Sequence, residues 1–87
     1  MAWTIEYRPA AAKALKKLDR STADRILQHL SEQASAPNPR LDGKALTGPL
    51  GHLWSYRVGD YRALCDIMDD RLVILFIKIG DRKDVYR

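Results

Sequence analysis

The sequence predicts a single small α+β domain with the element order β-α-α-β-β-β, a mainly antiparallel sheet packed against an N-terminal helical hairpin. Three observations lead there. Apolar and polar residues alternate at the start, two stretches of helical periodicity follow, and three apolar segments separated by short turns fill the last third. At 87 residues, 46% of them apolar, the chain has material for one core, so residues 1–87 are read as one domain.

The elements follow in order. Trp3, Ile5 and Tyr7 fall on one side of an alternating segment, the pattern of a half-buried strand. Pro9 suits a helix first turn, and Ala11, Leu15 and Leu18 recur at spacings of four and three, giving a helix over Pro9 to Leu18. Ser21, with Asp24 three residues on, resembles a capping box that starts a second helix. Its apolar stripe is Ala23, Leu27, Leu30 and Ala34, with Ile26 beside it, and Pro37-Asn38-Pro39 ends it.

Residues 36–52, rich in Gly and Pro, read as an ordered connection with a few buried anchors. Trp54–Val58 and Tyr61–Ile67 then form a hairpin across Gly59-Asp60, since glycine tolerates positive φ at the first central position. Met68-Asp69-Asp70-Arg71 makes the next turn. Leu72–Ile77 is apolar at every position, which predicts a central strand covered on both faces.

Lys and Arg outnumber Asp and Glu by 15 to 11, and the pI near 9.5 favours an acidic partner. Much of the surplus lies in the first half, including Lys13, Lys16, Lys17 and Arg20, a run that serves equally as a solvated helix face. Residues 54–87 hold seven basic and six acidic side chains, so placement distinguishes that region rather than excess. Cys65 is the single cysteine, within an apolar strand pattern, and reads as a small buried residue. The absence of a signal-peptide pattern and of an apolar run near the roughly 18 residues of a membrane span predicts a cytoplasmic protein with no membrane association.

With two histidines, one cysteine and no close cluster of ligand types, the sequence suggests neither a zinc site nor a two-metal nuclease centre, and no cofactor is expected. No Gly-rich phosphate loop or G-x-S-x-G is present. RNA cleavage remains open, because the 2′-hydroxyl is its own nucleophile. The protein must take its proton, stabilise the charged phosphorane and protonate the leaving oxygen. Arg57, Arg62 and Arg82 suit the second task, since a guanidinium forks onto phosphate oxygens and keeps its charge. Tyr86, near Arg82, Lys83 and Arg87, is the first candidate for base or stacking platform; Asp81 and His52 are weaker acid–base candidates. Trp54 reads as core, and His29 as a surface or core-edge residue.

With this element order, Lys44-x-Leu46-x-Gly48, Tyr56-Arg57-Val58-Gly59-Asp60-Tyr61-Arg62 and Gly80-Asp81-Arg82-Lys83-Asp84-Val85-Tyr86, the whole chain resembles the RelE/ParE superfamily of toxin-antitoxin toxins. The closing Arg-x-x-Val-Tyr favours the RelE-like side, the mRNA interferases, over the gyrase-inhibiting ParE side. The resemblance implies a ribosome-dependent endoribonuclease that enters the A site and cuts mRNA without metal, leaving a 2′,3′-cyclic phosphate. It implies that Arg62 stabilises the phosphate, that Arg82 acts as acid or charge partner, and that Tyr86 orients, stacks on or deprotonates the nucleotide. Arg57 matches a basic residue of the preceding strand, and Lys44 one in the loop before it; Lys83 and Arg87 complete the expected RNA-binding set.

The chain departs from the family at Ser55 and near Thr47, where basic residues are expected, and at Asp81, where many relatives have histidine. A ParE-like gyrase inhibitor, or a catalytically weak relic that mainly binds its antitoxin, is the alternative. The partners implied are a small acidic antitoxin, the ribosome and mRNA, and operator DNA through the toxin-antitoxin complex only. Because the Tyr86 motif closes the chain, no long C-terminal helix is expected to be displaced. The antitoxin is expected to cover Arg62 and Arg82 directly or to dock along the helices.

Overall fold

The computed structural model describes residues 3–81, and the order of its main elements is the predicted one with a short strand added. Strand β1 (Thr4–Tyr7) turns Ile5 and Tyr7 inward and leaves Thr4 and Glu6 exposed. Helix α1 (Pro9–Lys17) begins with Pro9, whose missing N–H falls where a helix has no partner for one. Arg8 N–H donates to the Phe76 carbonyl at 2.8 Å, which ties the helix entry to the sheet. Ala11 is fully buried, and the absence of a larger side chain lets the helix lie close to the strands. Lys13, Lys16 and Lys17 stay exposed.

Helix α2 (Arg20–Ser35) corrects the expected capping box. The cap is Asp19: its carboxylate accepts Thr22 N–H at 3.0 Å and the Thr22 hydroxyl at 2.6 Å, which also holds its pKa below the ordinary carboxylate value. Ser21 lies inside the helix, and Asp24 only approaches exposed Arg20, at 3.9 Å. Of the expected stripe, Leu30 and Ala34 are buried, and Ile26 takes the place of Leu27. Ile26, Leu30 and Ala34 form one i, i+4 row into the core, and Leu27, about 100° round the helix, is 39% exposed.

Between the helices and the hairpin, in the segment expected to be an ordered connection, Pro39–Leu41 and Gly48–Leu50 form 3₁₀ turns around a short strand, β2 (Lys44–Ala45). Two residues are too few to show a period. Arg40 anchors this segment with a forked ion pair to Asp69 (2.7 and 2.8 Å) and a bond to the Ile67 carbonyl at 3.3 Å; the guanidinium lowers the Asp69 pKa.

Strands β3 (Trp54–Val58) and β4 (Tyr61–Met68) form the expected hairpin, closed by Gly59 at φ 59°. β5 (Val73–Asp81) starts one residue late, because Leu72 takes φ 53° to complete the turn, and runs four residues beyond the expected Ile77. The extension contains a bulge: Leu64 pairs with Lys78 but Cys65 with Phe76, so Ile77 has no partner in the ladder. The sheet order is β1-β5-β4-β3-β2, antiparallel except for the parallel β1–β5 pair.

β5 is central, as expected, but the helices cover only one face of the sheet. On that face Tyr56, Phe76, Cys65, Ile74, Ala63 and Ile79 meet Ala11, Ile26, Leu30 and Ala34 in one core, with Tyr7 stacked on Phe76 at 5.5 Å. Leu75 and Ile77 of the same strand are only half-buried. Cys65 is fully buried, as its sequence context predicts, and burial pushes its thiol pKa up to about 12.

A candidate anion-binding cleft on the open face of the sheet

Side chains alternate across a sheet, so the residues next in line after buried Tyr56, Ala63 and Ile79 project from the face without helices. These are Arg57, Arg62 and Gly80, which stand in register across β3, β4 and β5. One step along the strands, β2 brings Lys44 opposite Ser55. Lys44, Ser55, Arg57 and Arg62, with Asp42 and Gly43, line a cleft of about 250 Å³. Three of the basic residues expected to contact a phosphodiester, which lie up to 18 positions apart in sequence, thus share one cleft.

The arrangement costs stability. Arg57 and Arg62 stand directly opposite each other, and like charges at such positions destabilise a strand pair. Arg57 Nε donates to the Gly59 carbonyl at 3.2 Å and the side chain is otherwise exposed. Nη1 of Arg62 is buried and finds no hydrogen-bond acceptor among the described residues. A buried donor on a charged group without an acceptor is rare, and an anion in the cleft would supply one.

Gly43 is shaped by the cleft wall. It has φ 82°, and a Cβ there would lie 2.4 Å from the Ser55 carbonyl oxygen and 2.6 Å from Trp54 Nε1. Trp54 Nε1–H donates to the Asp42 carbonyl at 2.8 Å, and His29 Nε2 lies 2.7 Å from Asp42 Oδ2. Neither the pairing of His29 with Asp42 nor its place beside the cleft was readable from the sequence, since the two residues lie 13 positions apart and no motif links them. His29 is at the core edge, as one of its sequence readings has it, edge-on to Tyr56 at 6.3 Å.

Other candidates separate from the cleft. His52 lines a different hollow with Arg40, Ala45 and Trp54, and Thr47 opens the second 3₁₀ turn outside the lining of the cleft. Ser55, where a basic residue was expected, is buried in the cleft. Asp81 pairs with Tyr61 in the ladder, one step from Arg62. Arg82, Lys83, Tyr86 and Arg87 lie outside the described residues. A larger depression of about 430 Å³ beside α2 mixes Asp24 and Glu32 with Arg25 and so lacks the convergent positive charge of the smaller cleft. Among the described residues no group of three or more His, Cys, Asp or Glu side chains is placed to hold a metal ion, and no helix is long and apolar enough to cross a membrane.

The family model described as the ParE toxin of the type II toxin-antitoxin system parDE matches residues 5–86. This chain belongs to the RelE/ParE superfamily of type II toxins. Toxin RelG of Mycobacterium tuberculosis is 31% identical over 90 residues, covering 100% of this chain and 99% of the relative. The toxin also superimposes on the toxin-antitoxin complex RelBE2 of M. tuberculosis with a TM-score of 0.85 and 24% identity, over 97% of this chain and 95% of that one. The archaeal RelE–RelB complex of Pyrococcus horikoshii gives a TM-score of 0.73 at 26% identity, over 97% and 99%. The two-helix, five-strand architecture is therefore the RelE-like α+β fold, as the resemblance in sequence implied.

Proposed function

We propose that this toxin is a ribosome-dependent mRNA endoribonuclease that stops translation by cutting message in the A site. The observation that carries the reading is the buried Nη1 of Arg62, without an acceptor among the described residues, in a cleft shared with Arg57 and Lys44. The 2′-oxygen attacks phosphorus and gives up its proton, the bond to the 5′-oxygen breaks, and that oxygen takes a proton, leaving a 2′,3′-cyclic phosphate. Negative charge grows on the phosphoryl oxygens between these events. Arg62, preorganised and short of an acceptor, meets that charge better than it meets the ground state. Arg57 and Lys44 position the backbone on either side.

Among the described residues the cleft's remaining titratable group is Asp42, engaged by His29, so proton transfer falls to Tyr86 and Arg82 in this reading. The similarity to toxins named RelG and RelE supports it. By the same similarity, the partner that silences the toxin is a small acidic antitoxin reaching the basic cleft or the helices. Cytoplasmic location, and contact with operator DNA only through that complex, belong to the same proposal.

Primer extension on a defined mRNA in a translating extract tests the proposal. Cuts within codons, lost in Arg62→Ala, are the expected result; intact message with translation unharmed would overturn it. One observation favours a second reading: the matching family model is described as a ParE toxin. Inhibition of purified gyrase supercoiling with mRNA left whole would select it.

A further inference from the structure

Among the described residues, Asp42 is the one acidic side chain in a cleft that holds Lys44, Arg57 and Arg62. A free carboxylate there would compete with an incoming phosphate for the same guanidinium donors. The structure shows it held from outside. His29 Nε2 sits 2.7 Å from Asp42 Oδ2, and His29 lines the depression beside α2, whereas Asp42 lines the cleft. The carbonyl of the same residue is taken by Trp54 Nε1–H at 2.8 Å. Upstream, buried Tyr56 donates its hydroxyl proton to the Pro39 carbonyl at 2.5 Å, and downstream Gly43 is pressed against β3 with no room for a side chain. Side chain, carbonyl and the next residue are thus each fixed by a different group, immediately before Lys44 enters its pairing with Ser55.

We propose that His29 is a positioning residue for the cleft: by holding the Asp42 carboxylate it keeps that charge off the arginines and sets the backbone that delivers Lys44. This rests on the cleft being an anion site, as the proposed function has it. His29 never touches the substrate. Its effect passes through Asp42, which predicts a specific dependence between the two positions. In His29→Ala the carboxylate is released beside the arginines and weakens anion binding. In His29→Ala with Asp42→Asn there is no charge to release, and binding returns. A purely structural role predicts instead that phosphate binding follows thermal stability across the variants, whatever the charge at position 42.

The test is titration of the free toxin and its variants with inorganic phosphate, followed by the guanidinium NMR signals of Arg57 and Arg62. The same variants are assayed for mRNA cleavage in a translating extract. Expected are about five-fold weaker phosphate binding in His29→Ala, the size set by a like charge brought to about 8 Å at an effective dielectric near 40. Near wild-type binding is expected in His29→Gln, which keeps an N–H donor. The double variant should match Asp42→Asn, itself no weaker than wild type. Thermal unfolding identifies any variant that does not fold, and His29→Leu, which also lacks a donor, then replaces His29→Ala. A double variant as weak as His29→Ala, a His29→Ala variant as tight as wild type, or no phosphate binding by the wild type overturns the inference. If the variants follow the expected order but wild type leaves message uncut, the positioning role stands and the nuclease reading falls. If message is cut while the order fails, the reverse holds.

Discussion

Replacing Arg62 with methionine should make this protein more stable and less active at once. The side chain carries a buried Nη1 with no acceptor among the described residues and stands opposite Arg57 across the β3–β4 pair. An unsatisfied buried donor costs about 1–3 kcal/mol, and opposed like charges cost a further fraction of about 1 kcal/mol. Methionine keeps much of the unbranched apolar stem that packs in the strand, and a swap of similar shape loses less than about 1.5 kcal/mol. The balance favours the variant by roughly 1 kcal/mol, which for a domain of this size raises Tm by about 4–8 °C. Function moves the other way. A hydrogen bond to a charged group contributes about 1.5–3 kcal/mol, so phosphate binding and cleavage should fall roughly ten- to 150-fold. Thermal unfolding beside primer extension reads both quantities from one preparation. A variant that loses more than about 1 kcal/mol of stability while cutting normally would show that Arg62 is an ordinary structural cation, and the reasoning about the cleft would fail with it.

Three further outcomes are expected. Gly43→Ala should cost more than about 2 kcal/mol in urea unfolding, since positive φ alone costs a side chain about 1–2 kcal/mol and the new Cβ would meet the Ser55 carbonyl oxygen at 2.4 Å; an unchanged midpoint would refute the packing described for the cleft wall. Tyr56→Phe leaves the Pro39 carbonyl without its donor and should cost about 1–3 kcal/mol, with weaker phosphate binding because the segment before Lys44 loosens; no loss in either measurement would count against the anchor. Stability should fall with rising pH in the alkaline range. Burial raises the pKa of Cys65 to about 12 and that of Tyr56 above its ordinary value, so the folded state holds protons that the unfolded chain gives up. Their contribution is full below the unfolded values, about 8.5 for the thiol and about 10 for the phenol, and is lost as pH climbs toward the folded ones. Urea unfolding across about pH 7 to 11 reads this, and Cys65→Ala should remove the earlier part of the decline; a flat profile would contradict the burial of both groups.

Local rules reached far into this fold because most of its elements carry their own signal. Alternation over Trp3–Tyr7, Pro9 at a helix start and the Gly59-Asp60 loop each reflect one or two turns of backbone and are where the sequence placed them, and the apolar run ending at Ile77 falls within the longer strand β5. The misses share a cause. Asp19 rather than Ser21 caps α2, and Ile26 rather than Leu27 faces the core, because phase within a helix is decided by what it packs against. β2 is two residues long and exists through its pairing with β3, and β5 reaches Asp81 with a bulge in its pairing with β4.

The candidate site divides the same way. The sequence by itself determined which side chains can handle a phosphate, Lys44, Arg57 and Arg62 among them, because guanidinium and ammonium chemistry belongs to the residue wherever it lies. It also determined the face of each strand on which a residue would stand, since alternation is a property of the extended chain. Only the tertiary structure decided that two arginines would oppose each other, that one nitrogen of Arg62 would be buried without an acceptor among the described residues, and that His29 would take hold of Asp42. Those relations depend on register and on contacts between residues distant in sequence, and no local preference of the backbone encodes either.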